Sequence, residues 1–252
     1  MTNVTTNYVR LAWLDTRITT LELLRLPAYV IPTLVLPAMV YAFFGLGYAS
    51  TPEYARLTVG SYAAFAVIGV ALFQFGVGIA SDRVSPWESY MRTLPIPGSA
   101  RFLARLASAI VFAGAAASLV CLLGATAGHV AIPALGWVEL AATLLGGGIV
   151  FGLVGIAIGY WTSAKAAVPI ANLVYLPLAY AGGLWIPPQM LPSFVATISP
   201  FTPTRQYGEL VWAAVTGQAL PASALEILAL YAVLFFGIAY WGYRRNEGQR
   251  YS

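Results

Sequence analysis

The chain has 252 residues, of which 60% are hydrophobic and only 9% charged. Soluble domains carry roughly 25% charged residues, so this composition excludes an ordinary soluble enzyme, and its hydrophobicity excludes a disordered chain. The 13 Lys+Arg outnumber the 9 Asp+Glu, for a formal charge of +4.

In chain order, residues 8–24 read as an amphipathic helix. Leu11, Leu14, Ile18 and Leu21 share one stripe at helical spacing, with Arg10 and Arg17 on one flank and Asp15 and Glu22 on the other. Such a helix lies in the membrane interface, either as an anchor or as part of a docking frame for another protein. Residues 1–25 lack the compact apolar core of a cleavable signal peptide, so none is expected. Six apolar stretches follow at 27–49, 57–80, 106–127, 138–161, 167–186 and 222–243. Each meets the roughly 20 helical residues that a bilayer core requires. None alternates as a transmembrane strand does. The expected fold is an all-α membrane protein with six transmembrane helices.

The basic residues orient these spans. With a cytoplasmic N-terminus, Arg10, Arg17, Arg25, Arg83, Arg92, Arg101, Arg105, Lys165, Arg244, Arg245 and Arg250 lie inside, and only Arg56 and Arg205 of the 13 lie outside. Positive residues collect on the cytoplasmic side, so both termini are expected there, in a multi-pass protein of the inner (cytoplasmic) membrane. The basic excess is then topology and lipid-headgroup attraction. Membrane lipids are expected partners and nucleic acid is not. The domain reading is an interfacial helix at 1–26, a permeation domain at 27–243 and a cytoplasmic tail at 244–252.

Two connecting segments stand out. The cytoplasmic loop 81–105 reads SDRVSPWESYMRTLPIPGSARFLAR. Pro86 is placed to start a short helix through Arg92, with Trp87, Tyr90 and Met91 near one-turn spacing, and Pro95 and Pro97 stop it. That helix either enters a partner's cleft or rests its aromatics among lipid headgroups. The external segment 187–216 carries Pro187, Pro188, Pro192, Pro200 and Pro203 among Phe194, Phe201 and Trp212, with Trp185 just before it. Its pieces 193–199 and 204–216 are too short to cross a bilayer and suit a re-entrant helical hairpin between spans five and six, since irregular backbone at membrane depth needs protein or water around it.

The chemistry that is missing narrows the function. The sequence has no G-x-x-x-x-G-K-[ST] phosphate loop, and its only lysine, Lys165, lies in WTSAKAAV. The lone Cys121 and lone His129 rule out disulfides and multi-histidine metal sites within one chain. His129 reads as an exposed loop or interfacial residue. Glu139 and Glu226 lie near external span ends, within reach of the interface. The deep polar residues are Gln74 and Asn172, which either join helices or line a path. Ion-coupled carriers usually hold ionisable groups at mid-membrane, so the energy for transport is expected from a partner.

This arrangement resembles the type-2 permeases of ATP-binding-cassette (ABC) transporters. Residues 176–211, LPLAYAGGLWIPPQMLPSFVATISPFTPTRQYGELV, are similar to that family's late signature in Gly182, Gly183, Pro187, Pro192, Ser199, Pro200 and Pro203. The loop 82–97 resembles its coupling-helix region, led by Asp82–Arg83 and closed by Thr93-Leu94-Pro95, although Ser85-Pro86 stands where members often have glycine. LELLRLPAYVIPTLVLPAMV looks like its first span.

The resemblance implies a transport subunit that is not itself an enzyme. It also implies two copies of a cytoplasmic ABC ATPase that bind ATP and Mg, no cofactor on this chain, and a second permease subunit in a homodimer or related heterodimer. On it, Trp87, Glu88, Tyr90, Met91 and Arg92 transmit ATPase motion, and Asp15, Arg17 and Glu22 frame that contact. Phe73, Gln74, Asn172, Tyr175 and Tyr180 are path or gate candidates, and Phe194, Phe201 and Tyr207 belong to an external gate. The expected function is ATP-driven export of an amphipathic small molecule, such as a drug, natural product or lipid-like compound. The alternatives are a polysaccharide or lipid-linked glycan exporter, and an ATPase-independent channel or interaction protein.

Overall fold

The computed structural model describes residues 3–48, 51–86 and 98–248, and all regular structure among them is helical. Helix α1 is Asn3–Leu24. Then come α2 (Pro27–Gly45), α3 (Pro52–Asp82), α4 (Gly98–Thr126), α5 (Ala134–Trp161) and α6 (Ala164–Ala181). The short α7 (Ser193–Ile198) and α8 (Pro203–Thr216) precede α9 (Ala222–Gly248). Six helices, α2 to α6 and α9, are long and apolar enough to span a membrane.

Their limits have local causes. Helix α3 begins earlier than hydropathy predicts, because the Thr51 hydroxyl accepts from the Tyr54 amide and Pro52 occupies the first turn. Helix α6 stops at Ala181 although the apolar run continues to Ile186. Gly183 takes φ +78°, a left-handed conformation open to glycine, and turns the chain. The pieces expected at 193–199 and 204–216 appear as α7 and α8, with the Thr202 hydroxyl accepting from the Arg205 amide to cap α8.

Helix α3 is the hub, packing against α2, α4, α5, α6 and α8. Glycines let α5 approach it closely. A Cβ at Gly155 would lie 2.7 Å from the Ala71 carbonyl oxygen, and one at Gly159 would lie 2.7 Å from the Ile79 Cβ. Without a hydrophobic drive between helices in lipid, such small-residue contacts supply the packing. Helix α9 lies on α5 and α8, and α1 lies on α4. Leu14, Ile18 and Leu21 of the predicted stripe are exposed, while Asp15, Thr16, Thr19 and Thr20 are partly buried. These three residues of the stripe therefore face away from the bundle.

Candidate transport site

One end of the bundle gathers charge. At the end of α3, Asp82 and the residue that follows it, Arg83, point to different neighbours. Asp82 forms an ion pair with Arg105 of α4. Arg83 instead reaches the last turn of α5, where its Nη1 donates to the carbonyls of Gly159 at 2.9 Å, Tyr160 at 3.1 Å and Thr162 at 3.2 Å. Its Nε donates to Asn246 Oδ1 of α9 at 3.1 Å. The final carbonyls of a helix have no partner within it and carry its negative dipole end, so a guanidinium there satisfies both needs.

The same end extends inward through a polar cluster. Helix α3 makes a π turn over Leu72–Val77, and Arg105 Nη1 donates to the Gln74 carbonyl at 3.3 Å. Tyr29 of α2 donates from its hydroxyl to Gln74 Oε1 at 2.8 Å, and its ring meets Phe112 edge-on. Gln74 thus joins α2, α3 and α4, while its Nε2 is buried without a hydrogen-bond partner among the described residues. Gly78 makes room for Arg105, whose Nη1 would lie 2.8 Å from a Cβ there.

The other path candidates fall elsewhere. Phe73 meets Tyr175 edge-on at 6.2 Å. Tyr175 is buried, stacks on Phe65 at 4.6 Å, and donates its hydroxyl to the Phe65 carbonyl at 2.8 Å. Asn172 is partly buried and donates to Val168 of its own helix at 3.2 Å, beside the exposed Leu173. Tyr180 is partly buried near the end of α6. The structure therefore joins Phe73 to Tyr175 and places Gln74 in a separate cluster.

At the opposite end the contacts are aromatic and hydroxylic. Tyr207 is wholly buried, its ring over Gly147 and its hydroxyl donating to the Leu144 carbonyl at 3.1 Å. Trp212 Nε1 donates to Ser61 Oγ at 2.7 Å, Tyr62 to the Trp185 carbonyl at 3.0 Å, and Thr204 to the Leu178 carbonyl at 2.6 Å. These bonds tie α8 and the turn after α6 into the bundle. Phe194 and Phe201 project outward, each 75% exposed. His129 is exposed, with φ 49° in the turn that ends α4. A cleft of about 120 Å³ opens here, lined by Tyr54, Ser61, Trp185, Arg205, Glu209 and Trp212 among others. Arg205 pairs with Glu209 and lies 5.2 Å from the Trp212 ring centre.

Trp87, Glu88, Tyr90, Met91 and Arg92 lie outside the described residues. Of the three expected beside them, Asp15 is partly buried, and Arg17 and Glu22 are exposed on α1. Among the described residues no group of His, Cys, Asp or Glu is arranged to hold a metal ion.

The family model of the ABC-2 type transporter matches residues 11–211, which takes in most of α1, all of α2 to α7 and most of α8. The chain belongs to this family. It is also similar to YvfS of Bacillus subtilis (strain 168), whose name describes it as a transport permease, at 24% identity over 230 residues covering 90% of this chain and 94% of that protein. This ABC-2 permease is therefore a multi-pass membrane transport subunit, and its family implies an ATPase partner. Sequence reasoning had noticed Asp82–Arg83 only as a motif. It missed Tyr29, Arg105 and Asn246, whose partners are far away in the chain.

Proposed function

We propose that this permease exports an amphipathic small molecule of the drug, natural-product or lipid-like class outward across the cytoplasmic membrane. The charged end of the bundle faces the cytoplasm on this reading, as the distribution of basic residues requires. The observation that carries it is the anchoring of α3 at Asp82–Arg83, immediately before the aromatic segment 87–92, in a chain with no phosphate loop. A loop anchored that way is suited to receive force from an ATPase outside the membrane. Two ATPase subunits that bind ATP and Mg dock there, against two permease copies or a related pair, with Asp15, Arg17 and Glu22 beside the contact. The exposed stripe of α1 supports an interfacial placement, because an apolar face turned from the bundle requires lipid. Helices α7 and α8 support a re-entrant hairpin, since both are too short to cross a bilayer and α8 is bonded inward to the bundle.

The scarcity of ionisable groups in the spans favours an apolar or weakly polar cargo. The cleft beside Trp185 and Trp212 favours a second reading, export of a polysaccharide or lipid-linked glycan, since aromatic faces next to Arg205, Glu209 and Ser61 suit a sugar. Capture of the permease from its native membrane should bring down an ATPase with a phosphate loop. In proteoliposomes, ATP hydrolysis by that complex should rise with amphipathic compounds and stay level with oligosaccharides. The reverse order would select the glycan reading, and a permease that captures no ATPase would sink both.

A further inference from the structure

We propose that Arg83 is the positioning residue that carries motion of the loop after α3 into α5 and α9. The inference rests on the permease reading and adds to it a route through this chain. A loop fixed only to α3 would move one helix. Here the last residue of α3 and the one after it are bonded to three other helices. Asp82 holds α4 through Arg105, while Arg83 holds α5 through three carbonyls and α9 through Asn246.

The chemistry of the contact favours transmission over simple anchoring. A guanidinium is a planar fork that stays charged and keeps its geometry as it moves. Its acceptors are backbone carbonyls at a helix end, so a push on Arg83 acts on the α5 axis itself rather than on a rotatable side chain. Asn246 is buried, at 8% exposure, and so fixes α9 to the same group. The Tyr160 ring lies 6.0 Å from the Arg83 guanidinium and limits its sideways travel. Above the clamp, Gly155 and Gly159 hold α5 close to the π turn of α3, so the two helices move as a pair.

The test uses the permease–ATPase complex in proteoliposomes, with Cys121→Ser and a reporter cysteine, Phe194→Cys, at the exposed opposite end. The readout is the change in maleimide labelling rate when Mg-ATP and vanadate trap the ATPases. Arg83→Ala should still assemble with the ATPase and hydrolyse ATP, yet lose at least about fivefold of the nucleotide-dependent change, within the usual range of coupling between sites. Arg83→Lys, which keeps the charge without the fork, should recover part of it, and Asn246→Ala should show a smaller loss. An unchanged nucleotide response in Arg83→Ala overturns the proposal. Loss of ATPase binding along with the response also overturns it, because Arg83 would then belong to the docking surface. Should Arg83→Ala fail to fold, Arg83→Lys and Asn246→Ala decide alone, and a full response in both overturns it. An unsubstituted permease that captures no ATPase fails at the earlier step, taking the permease reading and this inference with it.

Discussion

The two ends of the bundle hold overlapping sets of helices by different chemistry. At the charged end, two adjacent residues, Asp82 and Arg83, reach α4, α5 and α9. At the opposite end the work is divided among Tyr62, Thr204, Tyr207 and Trp212, which bond to separate partners within close packing. Concentrated bonding lets a small movement at one point reach several helices. Distributed bonding resists any single loss and keeps α8 fixed to the bundle.

The largest expected loss of stability comes from breaking the packed end at its centre. Tyr207 has no exposed surface, and a Cβ at Gly147 would lie 2.1 Å from its ring. Tyr207→Ala should cost about 3–5 kcal/mol, as other large-to-small core changes do, and should appear as a much lower melting temperature in detergent. Tyr207→Phe keeps the packing and loses only the bond to Leu144, so it should cost about 1 kcal/mol. If the two variants melt alike, the hydrogen bond and not the packing holds this end.

Arg83→Ala comes next, at about 2–3 kcal/mol, since bonds to a charged donor exceed neutral ones and the carbonyls it leaves are partly buried. Its signature is local. Hydrogen exchange should rise in the last turn of α5 and near Asn246, and remain unchanged around α8. Exchange that rises evenly over the molecule would erase the distinction between the two ends.

These two residues also show what the sequence could and could not reveal. The six spans were legible because their apolar runs match the bilayer thickness, and α7 and α8 because prolines bound them. The end of α6 was misplaced because Leu184, Trp185 and Ile186 extend the apolar run, while the left-handed turn at Gly183 is a backbone event that hydropathy does not register. Gln74 was legible as a deep polar residue with two possible roles. Its bond to Tyr29 depends on the π turn of α3 and on the course of α2, and neither has a local signature. The partners of Arg83 lie 76 to 163 residues further along the chain, beyond any periodicity. Asp82–Arg83 was therefore visible as a motif, but its bonds to α4, α5 and α9 were not.

A milder change sharpens the description of the distributed end. Trp212→Phe removes the bond to Ser61 and weakens the contact with Arg205, while most of the ring packing stays. It should cost about 1 kcal/mol and leave α8 in place, because Tyr207 and Thr204 hold it independently. The Tyr207→Phe/Trp212→Phe double variant should cost close to the sum of the single changes. A clear excess would mean that the two bonds cooperate, and that this end is as concentrated as the other.

The smallest stability effect is expected at Phe194 and Phe201, and this makes them the most useful probes of the proposed external gate. Both rings are 75% exposed, so Phe194→Ala and Phe201→Ala should each shift stability by less than about 0.5 kcal/mol. The Phe201 backbone carbonyl accepts from the Tyr231 hydroxyl, and removing the ring leaves that acceptor in place. A change in transport by either variant would therefore owe little to misfolding. If the rings act at the gate, the rate of ATP-driven export should change while melting temperature and ATPase capture do not. If export also stays the same, the rings serve only to meet lipid, and gating falls to the inward-bonded residues of α8.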